Sequence, residues 1–231
     1  MKLIINDLYI GLQYEERKRC FSSAVFNGGY THANLYLNFH VNSNDLKDKK
    51  PEILIRESLT KNKFSINSTV ALLTAANLKH AQVISRKYEN VVVIGLISAG
   101  TSNALNPVDK IPDKDITGND IEPGTINIII ATNLYLHEEC FATTIITATE
   151  AKTAALMRLN VKSVYSKSQA TGTGTDSIII ISGTGKNTRF AGGHTLFGKM
   201  VAEVVYEAVI KSLEKKPINP IIPKHLLREL E

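Results

Sequence analysis

Two segments of the chain hold side chains whose types and spacing suit hydrolytic chemistry. Ala170 to Asp176 reads Ala-Thr-Gly-Thr-Gly-Thr-Asp, two glycines flanked by hydroxyls and closed by a carboxylate. Alternating glycine permits a backbone nest whose N–H groups bind an oxyanion, with hydroxyls and Asp176 beside it to handle protons. The same residues also suit a strand-connecting turn. The second segment, Cys140 to Leu159, reads as a helix yet carries Thr143, Thr144, Thr147, Thr149 and Thr153, and threonine is a poor helix former. On a helical wheel Glu139, Thr143, Thr147 and Glu150 share one stripe, while Ile145, Ala148, Ala155 and Leu159 share another. A solvated stripe is normally Lys and Glu, so the threonines mark either close helix-to-sheet packing or a surface that faces a ligand. His194 follows Ala191-Gly192-Gly193 at the start of a further helix, where a general base, a ligand donor and a structural role all fit.

Other chemistries are excluded by spacing. Gly183-Thr184-Gly185-Lys186 resembles a phosphate loop, but Ile180 stands where the first glycine belongs and Asn187 where Ser or Thr should follow the lysine. The dinucleotide fingerprint fails at Thr188. The histidines, His32, His40, His80, His137, His194 and His225, show no metal-ligand spacing, so no protein metal site is expected. Two cysteines, Cys20 and Cys140, allow no disulfide framework and read as small buried apolar residues.

The elements that must position these groups follow from periodicity and punctuation. Short strands are expected at Leu8 to Gly11 and Ser22 to Phe26, the second ending in the turn Asn27-Gly28-Gly29. Asn34 to Val41 alternates like a half-buried strand. A helix after Pro51 carries Ile53, Leu54, Glu57 and Ser58 at amphipathic spacing. Strands at Thr69 to Leu73 and Val91 to Ile97 follow, with Ala81 to Lys87 as hairpin partner of the latter. Asn106 to Gly124 reads as a long exposed loop. Then come a strand at Ile126 to Thr132, the helix His137 to Leu159, strands at Val161 to Tyr165 and Ser177 to Ser182, the helix Thr195 to Leu213 and a short helix after Pro223. The expected fold is α+β or α/β, one domain over 1–231, with mixed or antiparallel sheet flanked by two long helices. A strand–helix–strand run ending at Thr74 echoes another ending near Thr171, which raises a divergent internal duplication.

The 231 residues suffice for a sizeable core, and 43% hydrophobic with 21% charged content is that of an ordinary globular protein. The net charge of +5 is patterned. Lys47 to Lys63 has a local excess of positive charge that an amphipathic helix would solvate, while Asp109 to Glu122 is acidic. A polyanion site is the alternative for the basic stretch, but no zinc finger, aromatic ribonucleoprotein motif or arginine-rich arm supports nucleic acid as a partner. The N-terminus lacks a signal-peptide core, and Pro123 to Leu136 is too short and polar to span a bilayer, so a cytoplasmic location without membrane association is expected.

Several motifs together resemble one family. Ser22-Ser23-Ala24-Val25-x-Asn27-Gly28-Gly29, the Ser98 to Ala104 turn, Gly124-Thr125-Ile126-Asn127-Ile128, Thr147 to Leu156, Ala170 to Asp176, and Ala191-Gly192-x-His194-Thr195-x-x-Gly198 are similar, in this order, to the adenosylcobinamide amidohydrolases. The resemblance runs over nearly the whole chain, with Thr147 to Leu156 and Ala170 to Asp176 its most specific parts. It departs at Gly193 and Lys199, where Lys and Glu would be expected.

The resemblance implies a corrinoid-salvage enzyme that cleaves the amide joining the aminopropanol arm to the corrin ring, giving adenosylcobyric acid and aminopropanol. No cofactor is implied, because the cobalt belongs to the corrinoid substrate. Amide hydrolysis needs an activated water or nucleophile, an acid for the leaving amine and donors for the oxyanion. Glu150, Asp176 and His194 are the candidate proton handlers, and Lys152 can polarise the carbonyl or contact an amide arm. Substrate contacts are expected from Ser22, Asn27, Gly28, Asn103, Asn127, Asn133 and the loop Thr171, Gly172, Thr173, Gly174 and Thr175. A nucleophilic Thr171, Thr173 or Thr175 is the alternative to direct water attack. A corrinoid-binding protein without turnover, a hydrolase of another amide, and a homo-oligomeric state stay open.

Overall fold

The computed structural model describes residues 1–42, 45–110, 124–218 and 222–231. In chain order the elements are β1 (Lys2–Ile5), β2 (Tyr9–Ser22), β3 (Gly29–His40), α1 (Asp45–Asp48), α2 (Pro51–Lys61), β4 (Thr69–Thr74), β5 (Gln82–Tyr88), β6 (Val91–Ala99), β7 (Ala104–Leu105), β8 (Ile126–Thr132), β9 (Tyr135–Leu136), α3 (Glu138–Arg158), β10 (Gly172–Thr173), β11 (Ser177–Ile181), β12 (Asn187–Thr188), α4 (Leu196–Leu213) and α5 (Lys224–Glu229). The large sheet runs β4-β3-β2-β11-β8-β6-β5, with β1 paired to β2. The expected α+β class with two long helices is what the chain forms. The helix starts obey local rules, since Thr195 accepts a hydrogen bond from the Gly198 N–H and Pro51 begins α2 where no N–H partner is needed.

The pairing repeats itself. β1 and β2 are antiparallel, β2 and β3 antiparallel, and β3 crosses through α2 to a parallel β4. Likewise β5 and β6 are antiparallel, β6 and β8 antiparallel, and β8 crosses through α3 to a parallel β11. The antiparallel pair β2–β11 joins the two units into one sheet. The duplication expected from sequence is therefore present in the topology, but its closing strand is Ser177–Ile181 and does not end near Thr171.

Five further expectations are corrected. β2 is one long strand whose pairing with β3 shifts between Gln13 and Lys18, so the charged run Glu15 to Arg17 sits at a bulge. Of Ser22 to Phe26 only Ser22 is strand, as the last residue of β2, and Phe26 makes an isolated bridge to Ala71 of β4. β3 is buried on both faces from Leu35 to Phe39, because α2 covers one side of it and the curled sheet the other. Val161 to Tyr165 forms a turn, in which the Ser163 hydroxyl donates to Asp109 and accepts from the Tyr165 N–H in place of a ladder. The helix after Pro51 buries Ile55 and Leu59, whereas Ile53 is exposed. The loop expected from Asn106 to Gly124 lies largely outside the described residues, since 111–123 are not among them.

One face of the sheet packs α3 and α4 through Ile128, Ile130, Ile180, Ala148, Leu156 and Val204. The concave face gathers Ile10, Leu12, Tyr36, Leu72, Leu96, Ile129 and Ile179, covered by Leu226 and Leu230 at the chain end. Both cysteines are buried, and desolvation pushes the Cys20 thiol up to about 12, which leaves it unreactive. No helix among the described residues is long and apolar enough to cross a membrane.

The α4-to-sheet contact is closest at Gly95, where an added Cβ would stand 2.3 Å from Val204 Cγ1 and 2.7 Å from Ile97 Cδ1. Gly95→Val is expected to cost about 2–3 kcal/mol of unfolding free energy in a urea titration. Adding Val204→Ala restores part of the loss, whereas the same second change made at exposed Ile146 restores none.

Candidate functional site

The N-terminal ends of β8 and β11 lie side by side, Ser177 opposite Asn127, and the polar groups of the chain concentrate at this edge. At its centre Lys152 of α3 donates to Asp176 Oδ2 at 2.5 Å, with side chains only 9% and 16% exposed. Asp176 also accepts from the Thr173 N–H (3.0 Å), the Thr173 hydroxyl (2.5 Å) and the Ile126 N–H (3.0 Å). Its lone pairs are thus committed to the loop that precedes it and to the first amide of β8. Gly172 must be glycine, since a Cβ there would meet Asp176 Oδ2 at 2.5 Å and Lys152 Nζ at 2.7 Å.

The rest of the loop is held as closely. β10 pairs with β7, the Thr153 hydroxyl donates to the Thr171 carbonyl (3.0 Å), and the Thr175 hydroxyl donates to the Gly124 carbonyl (2.9 Å). With its hydrogen spent there, Thr175 Oγ1 accepts from Thr125 Oγ1 at 2.8 Å. The Thr173 N–H goes to Asp176 and the Thr175 N–H to the Thr173 hydroxyl, so those two amides of the expected nest are directed inward. Gly174 and Thr175 are exposed at the loop tip.

Beside this loop, several buried polar atoms have no partner among the described residues. They are Asn127 Oδ1, Ser22 Oγ and both amide atoms of Asn103. All three residues were named from sequence as substrate contacts. Ser22 pairs with Ile179, which pairs with Ile129, so its side chain shares the concave face with Asn127 two residues along. Asn103 Oδ1 lies 2.4 Å from where a Cβ of Gly124 would be, against the residue that precedes Thr125. Asn38, which sequence reasoning did not single out, and Ser98, which it quoted only as the start of a motif, complete the group: Asn38 Nδ2 donates to Ser98 Oγ (2.8 Å) and Asn38 Oδ1 accepts from Asn127 Nδ2 (2.8 Å). The available signal was a polar residue inside an apolar strand at both positions.

Other expected contacts have different work. Asn27 takes a left-handed φ of 53° and its amide donates to the Ile66 and Thr69 carbonyls, pinning to β4 the turn in which Gly28 packs on the Ala24 backbone. Asn133 lies past the opposite end of β8, where its side chain accepts from the Val92 N–H and donates to the Asn90 carbonyl. That position makes it a fastener of the β5–β6 turn region, removed from the Asp176 edge by the length of β8.

The threonine stripe has a structural explanation. Glu139 pairs with Arg189 (2.6 Å), the Thr143 hydroxyl accepts from the Ala191 N–H (3.2 Å), and the Thr147 hydroxyl donates to the Ala191 carbonyl (2.7 Å). The stripe therefore holds down the segment that leads into α4. Glu150 continues the stripe, and both it and His194 are exposed and without a hydrogen-bond or ion-pair partner among the described residues. Lys152, about 200° around the helix from Glu150, turns to the sheet. Expected as one constellation, the four catalytic candidates form two groups: the buried pair Lys152–Asp176, and the exposed Glu150 and His194.

A family model described as adenosylcobinamide amidohydrolase matches residues 4–218. The chain belongs to this family. An adenosylcobinamide amidohydrolase of Methanosarcina mazei is 31% identical over 202 residues, 83% of this chain and 88% of that protein. An uncharacterized protein of Methanocaldococcus jannaschii is 37% identical over 176 residues, 69% of each chain. A crystal structure of a Pyrococcus horikoshii OT3 protein aligns at 12% identity and a TM-score of 0.44, covering 99% of this chain and 86% of the other. The departures from the family pattern sit at the surface: a Cβ on Gly193 would meet open space, and Lys199 is exposed 3.9 Å from Glu203, one helical turn on.

The ion pair yields a stability prediction. Asp176→Asn leaves the Lys152 ammonium buried without its counter-charge and is expected to cost about 2–4 kcal/mol in denaturant unfolding. Lys152→Met combined with Asp176→Asn recovers much of that loss. Additive single effects would show that the two groups are not coupled in the folded protein.

Proposed function

We propose that this family member hydrolyses the amide between the aminopropanol arm and the corrin ring of adenosylcobinamide, releasing adenosylcobyric acid and aminopropanol. The observation that carries the reading is the family match over residues 4–218. The site's chemistry agrees with it: Ser22, Asn38, Ser98, Asn103 and Asn127 offer neutral hydrogen-bonding groups at one sheet edge, suited to a large ligand decorated with neutral amides. The cobalt is part of that substrate.

The residues divide the chemistry by what they are free to do. Lys152 keeps hydrogens beyond the one shared with Asp176, and a positive charge there polarises an amide carbonyl and stabilises its developing oxyanion. Asp176, saturated by four donors, fixes that charge and the loop around it. Glu150 and His194 have uncommitted proton-carrying groups for activating water and protonating the leaving amine, in a second, exposed group set apart from Lys152 and Asp176. Direct attack by water is favoured over an acyl-enzyme at Thr173 or Thr175 because their hydroxyls already donate, to Asp176 and to the Gly124 carbonyl.

Incubation with adenosylcobinamide, followed by chromatography for adenosylcobyric acid and free aminopropanol, tests the reading. Turnover is expected, and tight binding without product would reduce the protein to a corrinoid binder. Glu150→Gln is expected to lower kcat about 10²-fold or more with an unchanged unfolding midpoint, because the side chain is exposed and unpaired. A wild-type rate in that variant removes Glu150 from the chemistry.

A further inference from the structure

Asn127 is held in one orientation. Its Nδ2 donates to the Leu73 carbonyl at 2.9 Å and to Asn38 Oδ1 at 2.8 Å. A backbone carbonyl cannot donate, so turning the amide over would set Oδ1 against the Leu73 oxygen. Asn38 is fixed as well, since its own Nδ2 donates to Ser98 Oγ at 2.8 Å. Both hydrogens of Asn127 Nδ2 are consumed in this way, and what remains is Oδ1, an acceptor without a partner among the described residues. A buried acceptor left unpaired is a standing cost that a matching donor removes.

The surroundings indicate the kind of donor. Asn103, at the same edge, has a whole carboxamide without partners, one donor group and one acceptor. Such a group pairs in a cyclic fashion with another carboxamide, while Asn127 Oδ1 takes a further N–H. Lys152 is the buried cation of this edge, and Asp176 balances its charge, so a bound carboxylate finds no net positive charge here beyond the hydrogens Lys152 offers to a carbonyl oxygen.

We propose that Asn38 is a positioning residue that gives this edge its selectivity for neutral carboxamide arms. By holding Asn127 with only its acceptor available, it favours an arm that brings an N–H and rejects a carboxylate, whose oxygens would face Asn127 Oδ1 at close range without a proton between them. The inference rests on the corrinoid reading of the site and adds to it the residue that enforces the amide preference. It also speeds product release, because hydrolysis turns an accepted N–H-bearing group into a rejected carboxylate.

The test compares two ligands of equal size, adenosylcobyric acid and its primary amide at the same arm, by titration of the corrin absorbance. The wild type is expected to bind the amide on the order of 100-fold more tightly. Asn38→Leu frees one hydrogen of Asn127 Nδ2 to serve a carboxylate, and the ratio of affinities should fall to within about tenfold. A general loss of packing would weaken both ligands alike and leave that ratio in place. Should Asn38→Leu not fold, Ser98→Ala loosens Asn38 with minimal change of volume and is expected to lower the ratio by a smaller factor. Equal affinities in the wild type, as when Asn127 Oδ1 is satisfied by an ordered water, overturn the proposal, and so does an unchanged ratio in the folded variants. Failure of both ligands to bind, with no turnover of adenosylcobinamide, overturns the corrinoid reading itself.

Discussion

The buried pair Lys152–Asp176 is the constraint on which the site's architecture depends. It ties α3 to the segment before β11, and through the second carboxylate oxygen it reaches the first amide of β8. A charge pair this deep is an expensive way to gain stability, because desolvation offsets most of the Coulomb attraction. What it supplies is position: the Ala170 to Asp176 loop can lie only where Gly172 passes over both charged groups. That loop in turn carries Thr173 and Thr175, whose hydroxyls bind it to Asp176 and to Gly124. The order of dependence runs from one ion pair to a loop, and from the loop to the sheet edge.

Repetition of a β-β-β-α-β topology accounts for the width of the sheet at that edge. Two such units joined through β2 and β11 make a sheet wide enough to curl, and the curl brings β4 within hydrogen-bond reach of β8. Asn127 spans that approach. The concave face is apolar along most of its length and becomes polar at the edge, where Ser22, Asn38, Ser98 and Asn127 replace the Ile and Leu of the interior. Only the second unit has the charged pair: the residue just before β4 is Ser68, where its counterpart before β11 is Asp176. The two halves thus share a backbone plan and differ in chemistry.

Legibility in the sequence followed the range of the interactions. Strand β8 and helices α3 and α4 stood out because a β-branched run, a helical stripe and a threonine cap are local signals. Strand β2 did not, since a bulge set Glu15 to Arg17 outside the alternation, and Val161 to Tyr165 misled because Ser163 satisfies the turn through its own side chain. At the site, Ser22, Asn103, Asn127 and the Ala170 to Asp176 loop were legible as motif residues, but their partners are tertiary. Nothing near Asp176 in the chain announces an ammonium 24 residues earlier, and Asn38 looked like the wet side of a half-buried strand until the curl placed β3 beside β8. His194 and Glu150 carried the same motif weight as Asp176, yet they lie on the exposed side of α3 and its strap.

The most direct measurement is a crystal structure of the protein with adenosylcobinamide bound to a slow variant such as Glu150→Gln. The amide-bearing periphery of the corrin should lie at the edge formed by Ser22, Asn103, Asn127 and the Gly172 to Thr175 loop, with an amide N–H within hydrogen-bond distance of Asn127 Oδ1 and the Lys152–Asp176 pair intact. A corrin seated at the opposite end of β8, beside Asn133, or one whose binding breaks the ion pair, would contradict the view that this pair builds the site.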